Sequence, residues 1–437
     1  MKAAVIGAGW AGLAAATALH DAGAQVTVFE AGRTPGGRAR RIVQPGFGEA
    51  LDNGQHILLG AFKETLALMR RLGRNPDTLL MRRPLRLASL DGTFRLSAPH
   101  LPAPWQGVAA MLTARGLGWR DKLAALRFVR DLQARGWNPP PVWTVGELLA
   151  YRRQPPELVR KVWIPVCLAA LNTPPEQASA ALFARVLKYS LAGGPRASDM
   201  LMPCVDLSAL WPDAAALRLT VHYHSTVRQL HVDSQYVDVN GERFEAAVLA
   251  TPPAVVMRLL GKAMQEQGAM KLIETLQGFD PQPIATLYLR LARPWPLPEP
   301  MLMLREDKPR GHAGQWLFDR SRLTGQDRQA QLAIVAGAAP GLAELPRERV
   351  IDALAAQVRE QAAQGGLPPM PEVEQAELFI EKRATFAARP QLRRPGNGTP
   401  WPTLVLAGDW TDTGYPGVLE GAVRSGLEAA RMLTARK

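Results

Sequence analysis

Cysteine is almost absent from this chain. Two residues, Cys167 and Cys204, occur in 437, too few for a disulfide framework or a four-thiolate metal site, so a reducing compartment fits. Aromatic residues make up only 6%, and no run interleaves them with basic residues as a single-strand nucleic-acid platform requires. A nucleic-acid partner is therefore not expected. Long apolar runs are also missing: the charge-free stretch from Leu96 to Ala114 contains Pro99, His100 and Pro102, which makes a poor spanning helix. Met1-Lys2 leads directly into Ala3-Ala4-Val5-Ile6 without an apolar signal segment, so the expected location is the cytoplasm, with any membrane contact peripheral. Acid is the scarcer charge. With 52 Lys and Arg against 39 Asp and Glu, the net charge is +13, which favours an anionic partner such as a membrane surface, nucleic acid or a phosphorylated ligand.

What is present has globular proportions, 47% hydrophobic and 21% charged, and the length predicts two or three structural units. The first thirty residues read strand, glycine turn, helix, strand: Ala3 to Ile6, Gly7 to Gly12, an Ala/Leu-rich stretch to His20, then Gln25 to Glu30. Gly23 sits where a helix C-cap glycine belongs. The region from Arg82 to Ala192 reads as mostly helical, with Pro-rich joints at Asn138 to Pro141. From Leu219 to Leu249 short alternations predict a small antiparallel meander with a hairpin turn at Asn240-Gly241. Strand patterns follow at Ile284–Leu291 and Gln331–Gly337, with a helix near Arg347 to Ala363. The end of the chain pairs a buried strand, Thr403 to Ala407, with an amphipathic helix from Gly421 to Leu433.

Gly7-x-Gly9-x-x-Gly12 between the first strand and helix has the context of a dinucleotide phosphate site: a tight turn, close backbone approach to the pyrophosphate, and a helix N-terminus facing it. Glu30 closes the second strand, where a carboxylate can bind ribose hydroxyls. His222 and His224, two apart on a predicted strand, have a spacing that metals use, but no carboxylate or cysteine lies near them in sequence. No metal is expected. Residues 63 to 137 hold fourteen Lys and Arg against five acids, most of the net charge. Within them Trp119, Leu123, Leu126, Val129 and Leu132 recur at helical spacing beside Arg120, Lys122, Arg127 and Arg130. That pattern fits either a helix lying in an anionic membrane interface or a core-facing helix with a solvated charged face.

Further segments carry a family resemblance. Gly36-Gly37-Arg38 resembles the glycine-glycine-arginine element of flavoprotein oxidoreductases. Gly408-Asp409-Trp410-Thr411 followed by Gly417-Val418-Leu419-Glu420-Gly421-Ala422 resembles the C-terminal flavin segment of the amine oxidase and phytoene desaturase superfamily. Within it, Leu51-Asp52-Asn53-Gly54-Gln55-His56-Ile57-Leu58-Leu59-Gly60 and Val162 to Pro174 resemble signature segments of the hydroxysqualene dehydroxylases. Pro203 to Ser208 and Val248 to Pro253 fit the same family.

The resemblance implies non-covalent FAD. Its contacts would be Gly7, Gly9, Gly12, Glu30, Gly37, Arg38, Gly54, Val227, Gly408, Asp409, Val418 and Leu419, with Asp409 at the ribityl chain. It further implies reductive removal of the hydroxyl of hydroxysqualene to give squalene on the route to hopanoids. An oxidative terpenoid or carotenoid desaturase and an amine oxidase are the alternatives. Amine oxidases carry an aromatic cage residue where this chain has Val418, and the superfamily's arginine two positions before the glycine pair is Thr34 here.

The implied chemistry makes its own demand. Hydroxide is a poor leaving group, so breaking an allylic carbon–oxygen bond needs a proton donor inside an apolar pocket. His56, Asp52 and Tyr415 are the candidate donors. The expected fold is α/β: a discontinuous FAD-binding Rossmann-like domain from 1–80, 200–275 and 395–437, with an interleaved α+β substrate domain from 81–199 and 276–394. The expected partner is a polyisoprenoid small molecule, drawn from the inner face of the cell membrane.

Overall fold

The computed structural model describes residues 1–44, 47, 50–102, 105–194, 196–261, 267–325 and 330–435. The chain opens with strand β1 (Lys2–Ile6), helix α1 (Trp10–Asp21) and strand β2 (Gln25–Phe29). Helices α2 (Lys63–Arg71), α3 (Trp105–Thr113) and α4 (Trp119–Ala134) follow, then strands β3 (Thr220–His222) and β4 (Ala246–Leu249). The second half holds β5 (Pro281–Leu291), β6 (Met301–Met303), β7 (Trp316–Asp319), β8 (Gln331–Gly337), helix α5 (Arg347–Gln364) and β9 (Val373–Phe386). Strand β10 (Leu404–Leu406) and helix α6 (Leu419–Thr434) complete it.

Five strands form a parallel sheet in the order β3-β2-β1-β4-β10. Central β1 is buried from Ala3 to Ile6, which is why it reads as an unbroken apolar run. Helix α1 ends as its glycine predicts, with Gly23 at φ +81° and its amide donating to His20 O at 2.9 Å. Helices α1 and α6 meet closely: a Cβ on Gly426 would lie 2.2 Å from Ala11 O. The sheet thus takes strands from both chain ends and from the middle.

A second, antiparallel sheet runs β6-β7-β8-β5-β9. Its side chains sort by the two-residue period of a strand. Leu287, Leu289, Leu317, Leu332 and Ile334 pack with Leu354 and Val358 of α5. Tyr288, Trp316, Phe318 and Ala333 face the other way, into the larger core. That second face forms one wall of the cavity described below.

Two expectations change here. The stretch from Leu219 to Leu249 is not one meander: only 230–244 forms antiparallel ladders, while its outer strands β3 and β4 join the parallel sheet. The Asn240-Gly241 turn is as expected, with φ +52° and +90°, the geometry that favours this pair. The region from Arg82 to Ala192 holds a strand pair, Arg86–Ala88 with Arg95–Ser97, besides its helices. His222 ends β3, but His224 lies beyond it at φ +53°, so the two imidazoles do not share a strand face. Among the described residues no group of three or more His, Cys, Asp or Glu could hold a metal.

Helix α4 also turns differently from its sequence stripe. Ala125, Phe128 and Leu132 are its buried positions, whereas Leu126 and Val129 line the cavity. Trp119 points outward, 70% exposed. On α3, Trp105 and Leu112 are likewise 64% and 63% exposed, while Ala110 and Met111 line the cavity. No helix among the described residues is long and apolar enough to cross a membrane.

Candidate active site

The turn after β1 is shaped by its glycines. Gly7 has φ +105°, and a Cβ there would lie 2.6 Å from Ala250 O, a position that excludes other residues. A Cβ on Gly12 would fall 1.9 Å from Gly7 O, so α1 can pack against the turn only without one. Gly9 differs: its nearest neighbour would be Gly37 Cα at 3.8 Å, leaving open space in front of the backbone. Helix α1 starts there with no side-chain cap and no acid in its first turn. Unpaired amides and a positive dipole end facing open space are what a pyrophosphate needs, so the residues fit the diphosphate of FAD.

Glu30 at the end of β2 holds this turn together, accepting from Ala8 N at 2.7 Å and Gly32 N at 2.6 Å. Gly36 is drawn in by its amide, which donates to Ala8 O at 2.8 Å. Arg38 reaches across to the other end of the chain, its Nη2 donating to Asp409 Oδ1 at 2.6 Å and its Nη1 to Ala384 O at 2.7 Å. The Asp409 carboxylate raises the Arg38 pKa further, against burial. Val418 and Leu419 begin α6, which has no side-chain cap. The one acid in its first turn, Glu420, faces away and accepts from Glu64 N and Thr65 N at the start of α2.

All of these elements open into one cavity of about 960 Å³. It runs from Gly7, Gly9 and Gly37 past Asp409 and Val418 to the inner faces of α3 and α4 and the wall formed by Trp316 and Phe318. Glu30, Arg38, Gly54, Val227, Gly408 and Leu419 line it as well, so of the expected cofactor residues only Gly12 does not border it, packing behind the turn. Neither cysteine borders it.

The three candidate donors separate. Asp52 does not line the cavity: it is buried, accepting from Leu207 N at 2.8 Å with Arg320 Nη1 3.8 Å away. It cannot hand a proton to a ligand directly. Burial pushes its carboxyl up to about 7, against the pull of Arg320 and the Leu207 bond. Because the folded pKa lies above the ordinary value, the unfolded chain binds fewer protons between 3.8 and about 7, and stability falls as pH rises through that window. Asp52→Asn keeps the acceptor and removes the proton, so thermal melts from pH 4 to 8 should show a flatter dependence than wild type; an unchanged profile would place the slope elsewhere.

His56 lines the cavity, but its Nδ1 lies 2.7 Å from Gly54 O. A carbonyl only accepts, so Nδ1 carries the hydrogen and Nε2 is left as an acceptor in the neutral ring. Burial lowers its pKa, opposed by the Gly54 bond and reinforced by Arg38. A neutral His56 with this bond would accept at Nε2 rather than donate. Tyr415 also lines the cavity, its ring stacked on Tyr189 with centroids 4.3 Å apart and the Arg424 guanidinium 4.8 Å from its centroid. Burial pushes the phenol up to about 12, with Arg424 opposing. It therefore keeps its O–H.

Two cavity groups have no signal in the sequence. Tyr189 comes from the helix Ala180–Ala192, and Glu381 from β9, where it accepts from Asn53 Nδ2 at 3.0 Å. Neither lies in a motif. Asn53 alone, inside the Asp52-to-His56 segment, marks where Glu381 docks.

A cradle for a dinucleotide opening onto a single apolar cavity agrees with comparison to known proteins, where residues 10–434 match the family of flavin-containing amine oxidoreductases. The chain belongs to that family. Its relatives include hydroxysqualene dehydroxylases from Zymomonas mobilis, 28% identical over 98% of this chain and 97% of that protein, and from Rhodopseudomonas palustris, 29% identical over 99% and 98%. The 15-cis-phytoene desaturase of Synechococcus elongatus is 24% identical over 100% of this chain and 96% of its own. In fold, the cyclohexylamine oxidase of Brevibacterium oxydans superposes with a TM-score of 0.72 at 19% identity, covering 100% and 99% of the two chains. This flavin-containing amine oxidoreductase is thus an α/β, FAD-dependent oxidoreductase, similar over its whole length to the hydroxysqualene dehydroxylases.

Proposed function

We propose that the protein removes the hydroxyl of hydroxysqualene reductively, giving squalene on the route to hopanoids. The full-length similarity to hydroxysqualene dehydroxylases carries the reading, and the apolar cavity walls support it. In the reaction the allylic carbon–oxygen bond breaks, the oxygen leaves as water after taking one proton, and a hydride closes the new carbon–hydrogen bond. Reduced FAD, when bound, supplies that hydride.

The chain's residues do the rest. Tyr415 O–H is the donor we assign to the departing hydroxyl, and His56 Nε2 the acceptor that orients its hydrogen. Trp316, Phe318, Leu126 and Val129 exclude water from a carbon that gathers positive charge as the bond breaks. Gly37, Arg38, Gly54 and Asp409 are assigned to the cofactor. Anaerobic incubation with hydroxysqualene and chemically reduced FAD should yield squalene, with none formed on oxidised FAD. A more desaturated product on oxidised FAD instead would make the enzyme a desaturase.

We further propose that the substrate enters from a membrane surface at α3 and α4. Trp105, Leu112 and Trp119 are exposed on α3 and α4, the two helices that also carry exposed Arg120 and Arg127 and the cavity-lining Met111, Leu126 and Val129. Each cation near an anionic surface contributes about 1 kcal/mol, screened by salt, while buried tryptophan is insensitive to it. Co-sedimentation with anionic vesicles should weaken as salt rises, and Trp105→Ser with Trp119→Ser should abolish the salt-resistant part. If neither that pair nor Arg120, Lys122, Arg127 and Arg130 changed together to Gln alters binding, the docking face lies elsewhere.

A further inference from the structure

Between β9 and β10 the chain passes through Arg393-Arg394-Pro395-Gly396-Asn397, where no motif stands out. Arg393 is exposed, but Arg394 turns inward. Its Nε donates to Trp410 O at 3.2 Å, its Nη2 to Asp409 O at 2.8 Å and to Thr411 O, and its Nη1 to Tyr415 O. Four carbonyls of one loop converge on one side chain. The guanidinium lies 5.1 Å from the centroid of the Phe386 ring, which covers it. Burial pushes its pKa down to about 10, with Asp412 and Asp409 opposing, so it remains a cation at neutral pH.

Neighbouring residues add to the clamp. Asp412 N donates to Pro395 O at 2.8 Å. Asn397 Nδ2 donates to Leu406 O at 2.7 Å and to Ser425 O at 2.8 Å, tying the end of β10 to α6. The loop from Asp409 to Tyr415 contains no regular element; Thr413 N donates to Thr411 O at 2.9 Å, and the carbonyls of Asp409 and Trp410 take their donors from Arg394. Both of its ends, Asp409 and Tyr415, border the cavity.

We infer that Arg394 is a positioning residue for FAD binding: it fixes the 409–415 loop before the cofactor arrives, so that Asp409 and the start of α6 meet FAD already in place. The inference rests on the reading that FAD binds against this loop and the start of α6. Only a planar fork with five fixed donors can span carbonyls in several directions, whereas lysine offers three donors on one nitrogen. A loop ordered in advance spares the binding step the cost of ordering it.

The test uses apoprotein and FAD. In wild type, hydrogen exchange at the Thr411 and Asp412 amides should be slow without FAD and change little when FAD is added. Arg394→Lys should keep the far-UV circular dichroism of the apoprotein yet weaken FAD binding, followed by flavin fluorescence, by about tenfold or more, while Arg393→Lys binds as wild type. Fast exchange in wild-type apoprotein that slows only with FAD, or a wild-type FAD affinity in Arg394→Lys, overturns the inference. If Arg394→Lys does not fold, the exchange measurement on wild type decides alone. Asp409→Asn separates the two assignments: unchanged FAD affinity in that variant with weakened affinity in Arg394→Lys removes Asp409 as a contact and leaves Arg394 standing.

Discussion

Gly9→Val should give a folded protein that stays colourless in saturating FAD. Gly9 has φ −75° and ψ 177°, extended backbone that valine adopts readily, and a Cβ there meets no protein atom nearer than 3.8 Å. The fold has no objection to the side chain. The pyrophosphate does, because it must approach this backbone to reach the amides at the start of α1. We expect FAD affinity to fall about a hundredfold or more, roughly 3 kcal/mol, with the far-UV spectrum of the wild type. Gly12→Val makes the contrast: its Cβ would fall 1.9 Å from Gly7 O, prying α1 off β1, and the protein should not accumulate in soluble form. Absorbance after desalting, beside circular dichroism, reads both. A yellow Gly9→Val protein at wild-type stoichiometry would move the pyrophosphate away from this turn.

Tyr415→Phe should retain FAD and lose about a hundredfold or more in turnover on hydroxysqualene, the range for removal of an acid that assists the transition state. Phenylalanine preserves the stack on Tyr189 and removes only the hydroxyl. Because the phenol is pushed up to about 12, it stays protonated through the neutral range, and turnover should be flat there. Were His56 the acid, turnover would instead rise as pH falls, since its lowered pKa leaves it neutral near pH 7 and charged only below. Single-turnover squalene formation by pre-reduced enzyme across pH separates the two. A flat profile with an unaffected Tyr415→Phe would remove both and turn attention to Glu381, which also borders the cavity.

Helix α4 shows why periodicity alone misplaced a face. Its sequence offers two overlapping apolar stripes, and Phe128 is the one that packs into the core, against Trp163 centroid to centroid at 5.1 Å, while Trp119 is exposed with only the Arg120 guanidinium over its ring. Similarly β3 and β4 alternate like hairpin strands, yet each pairs in parallel with a strand from the first thirty residues. Short strands carry no mark of their partner's direction, because pairing depends on segments far away in the chain.

The glycine turn at the start of α1 was legible in the sequence because its geometry is local. Tight turns, glycines and a helix start are neighbours in the chain, so their spacing encodes Gly7, Gly9 and Gly12 and the strand-end Glu30 directly. The family segments carried Arg38 and Asp409 in the same way. Which candidate donor faces the cavity was not legible, because that depends on what surrounds each side chain. Asp52 and His56 lie four residues apart in one segment, but one is enclosed beside Arg320 and the other faces the cavity with its proton committed to Gly54 O. Arg394 and Glu381 act through carbonyls and an amide supplied by distant segments. Only tertiary packing brings those groups within hydrogen-bonding distance, and only the burial it imposes decides which of them keeps a proton.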